Sequence, residues 1–231
     1  PTRHGVVVDH SAWCMYRRTC SRLHSTRHGT RRNSKPTSPS AHVALSEQPL
    51  LQVDRLHVYY SVMRGTVRAC ENVSFKVSKG EALGLAGESG CGKTTVAYSI
   101  LRLLPPNATV KGKVIFKGRD IYELPEDVLR KEVRWKGISI VFQGAMNALN
   151  PVLKIGDQIV EAILAHEETS PEEARERACR LFELVGIDPD RIDNYPHEFS
   201  GGMKQRAMIA MALACNPDLP IADEPTTGLD I

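Results

Sequence analysis

Long hydrophobic runs are missing from this sequence. Its longest uncharged apolar stretch, Ala207 to Cys215, is nine residues, against the roughly 20 that a membrane-spanning helix needs, so any membrane role must be peripheral. The six cysteines, at positions 14, 20, 70, 91, 179 and 215, lack the dense, regular spacing of small disulfide-stapled secreted domains. That points to a reducing compartment and a cytoplasmic protein. No internal repeat is present, which excludes a repeat array. Acids are nearly absent from residues 1–46, where eight Arg/Lys accompany Asp9 alone, whereas the remaining 185 residues carry 22 bases and 26 acids. The net charge of +3 is therefore a basic tail on a slightly acidic body. The tail segment "RHGTRRNSKPTSPSAH" has little to bury and reads as disordered. Its charge would also suit nucleic acid or anionic lipid, and its Arg- and Ser-rich, acid-poor character resembles an organelle transit peptide. Cys14, Cys20, His24 and His28 are zinc-ligand types, but too few residues separate the two pairs for the usual finger.

What is present begins near residue 51. With 42% hydrophobic and 25% charged residues in 231, the chain can build one large or two small cores. "LLQVDRLHVYY" and "RACENVSFKVSKGE" alternate as strands do, with a turn at Ser78-Lys79-Gly80. The apolar run "EALGLAG" then precedes a glycine-rich loop and "KTTVAYSILRLL", whose Val96, Ala97, Ile100, Leu101 and Leu104 recur at helical spacing until Pro105-Pro106. This reads as strand, loop, helix. "ISIVF" (138–142) predicts another strand, followed by Gln143 and an irregular "GAMNALNP". Beyond Pro151 the pattern turns helical: "GDQIVEAILAH", then Ser170-Pro171-Glu172-Glu173, a capping box with proline at the first helical position. That helix presents Ala174, Ala178, Leu181, Leu184 and Val185 on one face and stops at Gly186. A helix from about Met203 and a strand "LPIAD" complete the pattern.

Residues Gly87, Glu88, Ser89, Gly90, Cys91, Gly92, Lys93 and Thr94 fit G-x-x-x-x-G-K-[ST]. Glycines let backbone N–H groups converge on an anion. The following helix adds its positive end, Lys93 a point charge for β/γ-phosphates, and the Thr94 hydroxyl an Mg²⁺ ligand, with Thr95 next to it. An apolar strand ending in Asp223 and Glu224 supplies what such a loop requires: Asp223 as a second Mg²⁺ anchor, Glu224 to polarise a water attacking the γ-phosphate. Ser200-Gly201-Gly202 is either a further anion cradle or a capped helix start with a flexible turn.

The ordered set "GESGCGKT", "IVFQ", "FSGGMKQR" and "IADEPTTGLD" resembles the Walker A, Q-loop, signature, Walker B and D-loop motifs of ABC transporter ATPases, over about residues 50–231. "FQGAMNALNP", "GDQIVEAI" and "YPHEFSGGMKQRAMIAMALACNPDL" look like the ATP-binding subunits of dipeptide and oligopeptide importers, a group that includes nickel importers. The resemblance implies an α/β P-loop fold: a mainly parallel sheet flanked by helices, an N-terminal antiparallel β portion, an ATPase domain over 47–231 and a helical subdomain over about 152–200. It implies ATP and Mg²⁺ as cofactors, and a second ATPase subunit whose bound ATP would meet Ser200, Gly201 and Gly202. It further implies permease subunits in the membrane, a solute-binding protein acting indirectly, no nucleic acid, and a place on the cytoplasmic face of the membrane. Gln143 is similar to the glutamine that senses Mg²⁺ and permease, Asp230 to the D-loop aspartate, and Tyr60 to the aromatic that stacks on adenine. Neighbouring Tyr59 competes for that role, since on pattern either tyrosine could be a core strand residue. A soluble ABC ATPase acting on DNA or ribosomes, or a non-functional fragment, are the rival readings. Met203 departs from the commonest signature but matches the dipeptide group. Pro220 departs more seriously, because proline lacks the ladder N–H and predicts a weakened strand. The family's switch histidine falls beyond residue 231, and His197 cannot replace it. With Pro1 in place of Met, both ends are expected to be cut from a longer product.

Overall fold

The computed structural model describes residues 48–142 and 148–225. The tail with Cys14, Cys20, His24 and His28, together with Gln143 and Asp230, lies outside them. Strand β1 (Leu51–Val62) is the centre of an antiparallel sheet ordered β2-β1-β3-β4, with β2 at Gly65–Val77, β3 at Ala108–Phe116 and β4 at Arg119–Asp120. β1 alternates because Leu51, Val53, Leu56 and Val58 face the core. A bulge resets its register between Asp54 and His57, where Arg55 takes φ 46. Gly112 of β3 faces that bulge, and a Cβ there would collide with the Arg55 carbonyl, so only glycine lets the strands approach. A second, parallel pair joins β5 (Ile138–Val141) to β6 (Leu219–Ala222).

Two differences from the sequence reading concern this sheet. "EALGLAG" joins no ladder beyond one bridge at Gly84. Leu83 and Leu85 do pack on the core of the antiparallel sheet, but a cavity of about 640 Å³ separates this extended segment from Leu219, Ile221 and Ala222 of β6. Among the described residues the parallel part is therefore two strands. Pro220 also proves compatible with its strand. Leu219 N donates to Gly137 O and Asp223 N to Val141 O, both at 3.0 Å, so odd-numbered amides face β5. The missing Pro220 N–H points to the opposite edge, where it removes no β5–β6 bond.

Helix α1 (Lys93–Ile100) is shorter than its apolar pattern. Arg102 enters the left-handed region at φ 52, and its guanidinium donates to Ile121 O and Leu124 O at 3.2 and 2.7 Å. The chain then turns through α2 (Glu126–Val128) and a π-helical turn, Leu129–Val133. A second core is formed by α3 (Ile155–His166), α4 (Pro171–Leu184) and α5 (Gly201–Ala212), which bury Ile155, Ile159, Ile163, Phe182, Phe199 and Ala207 together. The capping box of α4 forms as the sequence predicts: Glu173 N donates to Ser170 Oγ, and Ser170 N to Glu173 Oε2, each at 3.2 Å. Its buried face is Ala174, Ala178 and Phe182, rotated from the predicted one, with Leu181 and Val185 partly buried beside it. Phe182 is the larger apolar group, and its fit against Phe199, ring centroids 6.2 Å apart, sets the helix's rotation.

Candidate functional site: a phosphate loop facing an acidic strand end

The loop Gly87–Thr94 turns into α1 through Gly90 (φ 81) and Gly92 (φ 98). At Gly92 a side chain is excluded twice over. The dihedral is left-handed, and a Cβ would collide with the Ala69 carbonyl and lie 3.1 Å from Cys70 Sγ. β2 thus supplies the floor of the loop. Cys70 lies beneath it with Sγ 3.6 Å from Gly92 O, and burial, then neighbouring Cys91, pushes its thiol up to about 11. It remains protonated at neutral pH. Lys93 Nζ curls over the loop, donating to Gly87 O at 2.8 Å and Glu88 O at 2.9 Å, which holds its charge at the mouth of the cradle. Tyr60 reaches the same helix, its hydroxyl 3.4 Å from Thr95 Oγ1. Tyr59 instead stacks on His57, with its hydroxyl 3.2 Å from Nδ1.

β6 delivers the acids. Asp223 is buried, and its Oδ2 has no hydrogen-bond partner among the described residues. Glu224 follows at φ 50 and is exposed. Gly87, Lys93, Asp223 and Glu224 line the one 640 Å³ cavity described above, so the loop and strand end predicted from separate motifs meet. Tyr98 of α1 stands close by. Burial, and secondarily the Asp223 charge, holds its phenol above the usual range, and its ring meets Phe142 edge-on at 5.7 Å. Cys70 and Tyr98 are site neighbours that no sequence pattern marks, since their roles come from packing between elements.

Ser200 caps α5, its Oγ accepting from Met203 N at 3.3 Å, and it is exposed, as is Gly201. Neither they nor Gly202 line the cavity of Lys93 and Asp223. The second cradle is therefore not part of that cavity. Among the described residues no cluster of three or more His, Cys, Asp or Glu could hold a metal by itself. An acid with an unpartnered buried oxygen opposite a hydroxyl-bearing phosphate loop fits a metal completed by phosphate oxygens and water.

The ABC transporter family model matches residues 70–227, more than half of the chain. The chain belongs to the ABC transporter family. It is 53% identical over 186 residues to a probable peptide ABC transporter ATP-binding protein, y4tR, of Sinorhizobium fredii, covering 79% of this chain and 55% of the relative. It is 47% identical over 188 residues to the dipeptide transport ATP-binding protein DppD of Bacillus subtilis, covering 80% and 56%. The chain spans about half the length of these relatives. Among solved structures it resembles the ATP-binding cassette MJ0796, described as a dimer in a post-hydrolysis state bound to ADP and Pi, with a TM-score of 0.67 and 30% identity over 78% of this chain and 76% of that one. The matched stretch contains Gly87–Thr94, Ser200–Gly202, Asp223 and Glu224. No helix among the described residues is long and apolar enough to cross a membrane.

Proposed function

We propose that this ABC chain binds and hydrolyses ATP to energise import of dipeptides or oligopeptides through membrane permease subunits, from the cytoplasmic face. The observation that carries the reading is the convergence of Gly87, Lys93, Asp223 and Glu224 on one cavity, with a carboxylate oxygen of Asp223 buried and unpartnered. The loop amides and Lys93 hold the β- and γ-phosphates, and Lys93 exchanges its bonds to loop carbonyls for phosphate oxygens. Thr94 and Asp223 would hold Mg²⁺. Bound Mg²⁺ neutralises charge on the phosphates and orients them for in-line attack. Glu224 accepts the proton of the attacking water. Tyr60, already against the loop helix at Thr95, stacks on adenine. Ser200 and Gly202 contact the γ-phosphate of ATP bound by a second ATPase subunit, which accounts for their absence from the cavity of their own loop.

Reconstitution of the complete ATPase with its permease in liposomes tests this. Mg-ATP drives uptake of labelled dipeptides and oligopeptides. Lys93→Ala weakens nucleotide binding about 10- to 100-fold, the loss of a charge-assisted contact, and stops uptake. Hydrolysis stimulated by DNA or ribosomes, without peptide uptake, would overturn the transport reading.

A further inference from the structure

Gln205 has no exposed surface at all, in a helix whose other buried residues are Ala207, Met208, Ala210 and Ala212. A buried amide is retained at a cost unless its polar atoms are paired. Here one half is paired: Nε2 donates to Pro225 O at 2.5 Å, across twenty residues of chain. Oε1 has no partner among the described residues, so packing alone would favour an apolar residue at this position. The accepting carbonyl belongs to the residue directly after Glu224. Glu224 itself is held at φ 50, a left-handed conformation that costs any residue with a Cβ and is further restricted before proline. Such a conformation persists only where its surroundings enforce it. On the strand side, Asp223 N is fixed to Val141 O at 3.0 Å. On the far side, the Gln205 amide fixes Pro225. Glu224 is the exposed residue between two buried anchors.

We propose that Gln205 is a positioning residue for Glu224: its amide, bonded to the Pro225 carbonyl, sets the turn from which the Glu224 carboxylate meets the attacking water. This rests on the ATP-hydrolysis reading for the meaning of that carboxylate, not for the latch itself. Because Gln205 lies on α5, whose N-terminus is the Ser200–Gly202 cradle, the turn carrying the base is tied to the helix that begins at the second cradle. Gln205 sits about one turn into α5 (Gly201–Ala212), so contact at the Ser200–Gly202 start and the aim of Glu224 are mechanically linked.

The test uses the complete ATPase with Gln205→Leu and Gln205→Glu. Gln205→Leu removes the donor while keeping an apolar fill. Its kcat falls at least about 10-fold with KM for Mg-ATP and nucleotide affinity within about twofold, as expected when a base is misaimed but binding is intact. Backbone hydrogen exchange in the peptide covering 219–224 accelerates, while that covering 93–100 is unchanged. Gln205→Glu adds a pH signature. The introduced carboxyl, its pKa raised by burial, donates its O–H to the Pro225 carbonyl when neutral and cannot when ionised. Turnover relative to wild type is therefore retained at low pH and lost as pH rises. Wild-type kcat and wild-type exchange at 219–224 in Gln205→Leu overturn the proposal. Should Gln205→Leu fail to fold, a Gln205→Glu pH profile parallel to wild type overturns it equally. Accelerated exchange at 219–224 in Gln205→Leu, in a protein whose wild type hydrolyses no ATP, supports the latch and sinks the hydrolysis reading alone.

Discussion

Glu224 and Asp223 are adjacent in the chain, yet one is exposed and the other buried. That difference separates their chemistry. A buried, unpartnered carboxylate oxygen is costly unless a cation completes it, which suits Asp223 to a metal. An exposed carboxylate on a constrained turn can take a proton from water and release it to solvent. Glu224→Gln should therefore keep nucleotide affinity near that of wild type while lowering turnover by roughly 100-fold or more, because the amide still hydrogen-bonds water but is a poor base. Phosphate release and nucleotide titration on the same preparation check this. Retained turnover would show that another group takes the proton.

At the scale of elements, α4 owes its start to local chemistry. Ser170 and Glu173 satisfy each other's backbone amides, and Thr169 Oγ1 adds a bond to Glu173 Oε2 at 2.7 Å. These bonds hold the Glu173 carboxyl below the usual range. Ser170→Ala should cost about 1 kcal/mol and lower the melting temperature by about 2–4 °C, leaving nucleotide affinity unchanged because no α4 residue lines the cavity of Lys93 and Asp223. The end of α3 behaves differently. His166 stacks on Trp135 at 5.8 Å, and its pKa is lowered first by burial, then by the charges of Lys136 and Arg130, with Glu167 opposing. The folded protein therefore binds this proton less readily than the unfolded chain. Stability is full above the ordinary histidine range near 6.5 and falls as pH drops through that value toward the depressed folded one. A melting series from about pH 7.5 to pH 5 should decline less steeply in His166→Gln than in wild type. Equal slopes would assign the decline to other groups.

At the scale of the whole molecule, the antiparallel sheet, α1 and β6 with its acidic end line one cavity, and its ligand should stabilise the folded chain. Mg-ATP at about 100 times its dissociation constant contributes about 2.7 kcal/mol, a rise in melting temperature of about 5–10 °C for a chain of this size. Chelating Mg²⁺ should remove much of that rise, and Lys93→Ala about half of it or more. A rise unaffected by either would place the nucleotide elsewhere. The sequence by itself determined the loop, the strand-end acids and the capping box. Each depends on residues within a few positions of one another, where dihedral freedom, side-chain reach and hydrophobic period act directly. Tertiary structure decided the rest. "EALGLAG" has the composition of a ladder strand but stands across a cavity from β6, because ladder formation depends on which edge lies within hydrogen-bonding distance. Pro220 fits its strand because the missing N–H falls on the side away from β5, a parity set only by pairing. Phe182, Cys70 and Gln205 matter through partners 17 to 22 residues away in the chain, and no local pattern encodes which atoms folding will bring together.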